Sequence, residues 1–287
     1  MTNSFKPVAD ALKAFFETSA DPVLFAGAGV SMLAGLPDWK GLLSQMAESV
    51  RAADPLTANH IQQCIAKGSL TKAADYFWLT DEVLEGDKLA TLKSILGHFN
   101  SKPLEPLASL PFKRVLTSNF DRSIHEAIAG SRKQVPRDYR FGDASFSSAI
   151  WETDLYVARI HGCIEMPKAM VLSETHFEKL LTSDSYIDLL TQTFLHKHVL
   201  FLGFSFYDPA IKYVLDQVEK RFGPAPPGRH LAILPENNAS ELIQKANRLN
   251  IAVVKYATDD NHKALWEGID SYSKSLSQSH VKAIVTV

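Results

Sequence analysis

Cysteine is scarce in this chain. Only Cys64 and Cys163 occur in 287 residues, far apart in sequence. Two thiols build neither a disulfide framework nor a four-cysteine zinc site, and their rarity suits a reducing compartment. An excess of one charge is missing as well. The 30 Lys+Arg and 32 Asp+Glu leave a formal charge of −2, so no global basic surplus points to nucleic acid. Long apolar runs are absent: Val199–Leu202 and Ile251–Val254 are strand-length, far below the ~20 residues that span a bilayer. Met1–Ala20 carries Lys6, Asp10, Lys13 and Glu17 among its apolar residues, so it has no signal-peptide core. No His, Cys, Asp or Glu spacing makes a metal site, and no internal repeat is present. The expectation is a soluble cytoplasmic protein without metal, membrane or direct nucleic-acid partner.

What is present is ordinary globular composition, with 46% hydrophobic residues, 14 Gly and 14 Pro. The length fits one large domain, or one domain carrying an inserted module. Val8, Leu12, Phe15 and Phe16 recur at helical spacing and predict an opening helix over residues 4–19. Residues 40–53, 57–67, 70–84 and 87–99 read as helices punctuated by Asp54-Pro55, Gly68 and Gly86. This stretch without strands is the expected insert, bounded at 40–110, within a single domain over 1–287. Around it, short apolar strands are expected at Pro22–Ala26, Phe112–Thr117, Leu155–Ile160, Val199–Gly203, His230–Leu234 and Ile251–Tyr256. Helices separate most of them, among them Asp121–Ala129, Pro209–Phe222 and a closing His262–Leu276. Such alternation argues an α/β fold, a parallel sheet of about six strands covered on both faces. The tail Ser279–Val287 reads as an extra strand, an interface element or a disordered end.

In sheets of this kind ligands bind beyond the C-terminal strand ends. Polar, glycine-rich residues cluster at four such exits: Gly27-Ala-Gly-Val-Ser31, Thr117-Ser-Asn-Phe-Asp121, His161-Gly162 and Gly203-Phe-Ser205. The Gly27-x-Gly29 turn suits a pyrophosphate at a helix N-terminus, or is simply a tight turn. The dinucleotide fingerprint is incomplete, because Met32 stands where its third glycine belongs, and no Walker lysine follows. Asn119 is either a helix-capping or turn residue or a ligand-facing amide, with Asp121 the better helix N-cap. His161 is the histidine best placed to act as a base near neutral pH. Ser31 and Ser205 read as turn hydroxyls or ligand contacts. Trp39 reads as core, or as part of a lid over a flat ring.

Together these exits resemble the sirtuin family. Gly27-Ala-Gly-Val-Ser31 matches G-A-G-x-S, and Gly35-Leu-Pro-Asp-Trp-Lys40 is similar to the G-I-P-D-F-R loop. Thr117-Ser-Asn-Phe-Asp121 is similar to T-Q-N-I-D, His161-Gly162 matches the catalytic H-G, and Gly203-Phe-Ser205 is similar to G-T-S. The resemblance implies a Rossmann-like doubly wound sheet. The zinc ribbon of protein-deacylating sirtuins is missing, since residues 163–198 hold only Cys163. Met170–Leu180 and the helical 40–100 stretch instead resemble the zinc-free sirtuin-like domains of bacterial anti-phage defence proteins, which destroy NAD+.

The resemblance implies an NAD+ glycohydrolase releasing nicotinamide and ADP-ribose, with NAD+ as substrate and no metal. It implies catalytic roles for Asn119 and His161. Gly27, Ala28, Gly29 and Ser31 would cradle the diphosphate side, and Phe120 and Asp121 the carboxamide. Gly203, Ser205 and Glu236 would contact the adenosine side, while Asp38 and Trp39 would cover the crevice. An enzyme that depletes NAD+ needs restraint, and little chain is left for a sensor, so a separate sensor or activator subunit and a homo- or hetero-oligomer are expected. Two alternatives remain. One is an NAD-dependent protein deacylase or ADP-ribosyltransferase, the other a non-catalytic NAD or ADP-ribose-binding module.

Overall fold

The computed structural model describes residues 5–206, 208–223, 229–237, 240–248, 250–258 and 262–285. Among these residues seven strands form one sheet: β1 (Pro22–Ala26), β2 (Arg114–Thr117), β3 (Arg137–Arg140), β4 (Tyr156–Arg159), β5 (His198–Leu202), β6 (His230–Pro235) and β7 (Ile251–Tyr256). Their order is β3-β4-β2-β1-β5-β6-β7, and every neighbouring pair is parallel. The central strands are buried on both faces, which explains the apolar runs of β1 and β5. The chain leaves β1 towards β2 and later returns to its other side at β5. The crevice between the β1 and β5 exits is therefore the topological switch point, where such sheets bind ligands.

Two apolar layers cover the sheet. On one face Phe25, Phe194, Phe201, Tyr186 and Ile211 pack together under α9 (Glu174–Leu180), α10 (Asp184–His196), α11 (Pro209–Phe222) and α12 (Ser240–Arg248). On the other, Leu24, Val115 and Leu200 meet α1 (Lys6–Thr18), α7 (Glu105–Ala108), α8 (Ser123–Arg132) and α13 (Lys263–Val285). Helix α1 buries Val8, Leu12 and Phe15, one stripe at helical spacing. A third cluster lies within α3 (Trp39–Val50), α4 (Pro55–Ala66), α5 (Leu70–Leu79) and α6 (Glu85–Leu96). Leu43, Met46, Ile61 and Phe77 are fully buried there, and Phe120, Ile164, Met170 and Leu172 from the sheet side close it.

Three details depart from the sequence reading. Strand β3 was not expected. Its Arg137-Asp-Tyr-Arg140 has no apolar run, and it holds its edge position through polar partners: Arg159 pairs with Asp138, and the Tyr139 hydroxyl donates to Glu152 at 2.7 Å. The closing helix runs to Val285 rather than Leu276, so residues 279–285 are helical, while 286–287 lie outside the described residues. The N-cap of α8 is Arg122, not Asp121. Among the described residues no helix is long and apolar enough to cross a membrane.

Candidate active site

The four polar exits belong to four adjacent strands, β4, β2, β1 and β5, and end level. Ala26 pairs in register with Thr117 and with Leu202, and Thr117 pairs with Arg159. Parallel register thus sets the loops after them side by side along one edge.

The β1 and β5 exits touch backbone to backbone. The Gly27 N–H donates to Leu202 O at 2.9 Å and the Gly29 N–H to Gly203 O at 3.0 Å. A Cβ on Gly27 would lie 2.4 Å from Gly203 O, so only glycine permits this approach. Gly203 has φ +60, and Ala28 opens α2 (Ala28–Leu33) immediately after the turn.

Across the β1 and β2 exits runs a buried polar chain. Asn119 Nδ2 donates to Gly27 O at 2.8 Å and to Ser31 Oγ at 2.8 Å. Ser31 Oγ donates onward to Asp121 Oδ2 at 2.6 Å, and Asp121 Oδ1 accepts the Ser123 N–H at 2.8 Å. Asn119 is anchored from behind, because Thr117 Oγ1 accepts its N–H while donating to Ala26 O. Both amide protons of Asn119 are spent, so Oδ1 is the remaining acceptor of that side chain. Asp121 therefore links α8 to Ser31, a longer-range task than the cap expected of it.

His161 follows β4 and is 2% exposed. Its ring meets Phe177 of α9 edge-on, with centroids 5.2 Å apart, and stacks near Tyr186 of α10. Nε2 lies 3.5 Å from the Tyr186 hydroxyl and 3.5 Å from Asp208 Oδ2. Burial pushes the imidazole below its ordinary value, and the Asp208 carboxylate pulls it back up. Burial also holds the Tyr186 phenol well above its ordinary value. Gly162 has φ +80, and a Cβ there would lie 2.4 Å from Ala169 O, which explains why glycine follows the histidine.

The remaining expected residues are spread more widely. Asp38 caps α3 by accepting the Gly41 N–H at 2.7 Å, and Trp39 packs 6.3 Å from the Phe120 ring against the helical cluster. Phe120 O accepts the Ile164 N–H at 2.9 Å. Ser205 and Glu236 are exposed at the β5 and β6 exits. Tyr186 and Asp208 were not anticipated. An Asp followed by Pro at a helix start signalled the Asp208 cap, but nothing in the sequence pairs it with His161. Among the described residues no cluster of three His, Cys, Asp or Glu is placed to hold a metal ion.

Residues 113–256 match the family model of the SIR2-like domain. Among curated proteins, the NAD(+) hydrolase ThsA of Bacillus cereus (strain MSX-D12) is 29% identical over 221 residues, which is 75% of this chain and 43% of that protein. The NAD(+) hydrolase ThsA of Enterococcus faecium is 30% identical over 225 residues, 72% of this chain and 42% of that protein. The chain thus spans about two fifths of the length of these relatives.

Proposed function

The chain belongs to the SIR2-like domain family, and from that premise we propose that it hydrolyses NAD+ to nicotinamide and ADP-ribose. The observation that carries this reading is the buried Asn119–Ser31–Asp121 chain on the β1 and β2 exits, with His161 on the neighbouring β4 exit. The relatives that bear the name NAD(+) hydrolase support it.

Cleaving the nicotinamide–ribose bond develops positive charge at the anomeric carbon, and water must reach that carbon as nicotinamide leaves. Asn119 offers Oδ1 to a ribose hydroxyl or to the water, and its amide cannot rotate because both protons are held. His161, kept neutral by burial, takes the proton that water gives up. The glycine turn from Gly27 to Ser31 takes the diphosphate side, and Phe120 with Asp121 the carboxamide. Gly203, Ser205 and Glu236 lie on the adenosine side, with Asp38 and Trp39 at the rim. In this reading residues 40–110 are a module inserted in a single domain, and no metal takes part.

The biological setting follows from the same proposal. An NAD+-depleting effector of bacterial anti-phage defence works in the cytoplasm and is held in check until a sensor or activator subunit releases it, within a homo- or hetero-oligomer. Purified protein incubated with NAD+, alone and with candidate partners, tests the chemistry. Nicotinamide and ADP-ribose are expected in equal amounts, and Asn119→Ala and His161→Ala should each abolish turnover with folding intact. Binding of NAD+ without product in every condition would reject the reading.

A further inference from the structure

Among the described residues, three elements enclose His161. Helix α9 presents Phe177, which carries no charge, α10 presents the Tyr186 hydroxyl, and the segment leading into α11 presents Asp208. Asp208 supplies the carboxylate that faces the ring, and its side chain is only 10% exposed. That carboxylate is not free to swing. Its Oδ1 accepts the N–H groups of Ala210 and Ile211, at 3.0 and 3.1 Å, as the N-cap of α11. The 14-residue helix, locked into the core by Ile211, Val214 and Leu215, therefore fixes where Oδ2 stands.

We propose that Asp208 is a positioning residue for His161: with Oδ1 committed to capping α11, Oδ2 holds the proton on Nε2 and leaves Nδ1 as the basic nitrogen. The protonation of one imidazole nitrogen is set by what the other faces, and here a carboxylate faces Nε2. Once His161 has taken a proton, Asp208 also offsets the charge of the buried imidazolium, which desolvation alone would penalise. Tyr186 lies equally close, but its phenol stays neutral and contributes packing and a hydroxyl rather than charge. The inference rests on the reading of His161 as the base.

Asp208→Asn is the informative variant, because asparagine retains an oxygen that caps the helix while the charge is lost. With NAD+ as substrate, kcat should fall at least tenfold with KM nearly unchanged. The acid limb of the kcat–pH profile should move to lower pH, because the histidine loses the charge that raised it. Tyr186→Phe should leave that limb in place. A second readout needs no turnover: nitrogen-15 NMR of His161, identified by its loss in His161→Asn, should report Nε2–H in the parent protein. In Asp208→Asn it should report a lower pKa and a tautomer no longer fixed. Those NMR changes in a protein that never consumes NAD+ would support the pairing and reject only the catalytic reading. Unchanged tautomer and unchanged pH limb in a folded Asp208→Asn, or faster turnover with the limb unmoved, would overturn the proposal.

Discussion

Ser31 Oγ donates a 2.6 Å hydrogen bond to Asp121 Oδ2 across 90 positions of sequence. The hydroxyl also accepts from Asn119, so it joins the exits of two strands through one oxygen. Its removal leaves a buried amide N–H and a buried carboxylate oxygen each short of a partner. Ser31→Ala should cost about 1–3 kcal/mol of stability. Because the Asn119 amide then keeps only its bond to Gly27 O and is less firmly oriented, NAD+ turnover should fall more than ground-state binding. Urea unfolding measures the first effect and nicotinamide release the second. Full activity in the variant would mean that Asn119 needs no support from Ser31.

The contact between Gly27 and Gly203 is steric, and its partners are backbone. A methyl group on Gly27 would lie 2.4 Å from Gly203 O and 2.8 Å from the Phe204 Cα, atoms that cannot swing aside. Gly27→Ala should therefore lower stability by about 1–3 kcal/mol and open the β1–β5 crevice. Gly86→Ala in α6 is the control, since nothing stands within 4 Å of its added carbon. That change should leave the melting temperature unaltered or raised, by up to about 1 kcal/mol equivalent.

Much of this arrangement was legible in the amino acids. Strands such as β1, β5 and β6 announced themselves because a strand buried on both faces needs a run of apolar residues. The polar exits stood out because they interrupt those runs at the same strand end. Strand β3 was illegible, since Arg137-Asp-Tyr-Arg140 satisfies its charges through Arg159, Glu152 and Asp154, all distant in sequence. The environment of His161 was hidden for the same reason. Phe177, Tyr186 and Asp208 come from three separate elements, and only the packing of α9, α10 and α11 brings them to one ring. The end of the closing helix fell short at Leu276 because Ser277-Gln-Ser-His280 interrupts its apolar periodicity, whereas α13 continues to Val285.

Arg159 shows how that edge strand is held. Its guanidinium, 1% exposed, bonds both oxygens of Asp138 at 3.2 and 2.6 Å and Glu165 at 2.7 Å. Asp138 belongs to β3 and Glu165 to the loop after His161-Gly162. Arg159→Leu would leave Asp138 and Glu165 only their longer contacts to Arg140 and Arg122, at a cost of about 1–3 kcal/mol. Arg159→Lys should also destabilise, because an ammonium cannot make the paired contact with Asp138. Urea unfolding gives both values, and a loss below 1 kcal/mol in Arg159→Leu would show that β3 does not depend on this network.

His230 carries a prediction about acid. It opens β6 at 2% exposure, and its Nδ1 accepts the Val199 N–H at 3.3 Å, which requires a lone pair on that nitrogen. Burial, reinforced by Arg229, lowers the folded value from 6.5 to about 4. The unfolded chain therefore binds a proton here at higher pH than the folded one. Stability from this site is complete above the unfolded value of 6.5 and is lost as pH falls through the window to about 4. The difference is on the order of 3 kcal/mol. His230→Asn keeps an acceptor for Val199 and removes the titration. Urea unfolding between pH 7 and 4 should show the parent protein losing more stability than the variant across that range. Parallel curves would mean that His230 is not held neutral in the folded sheet.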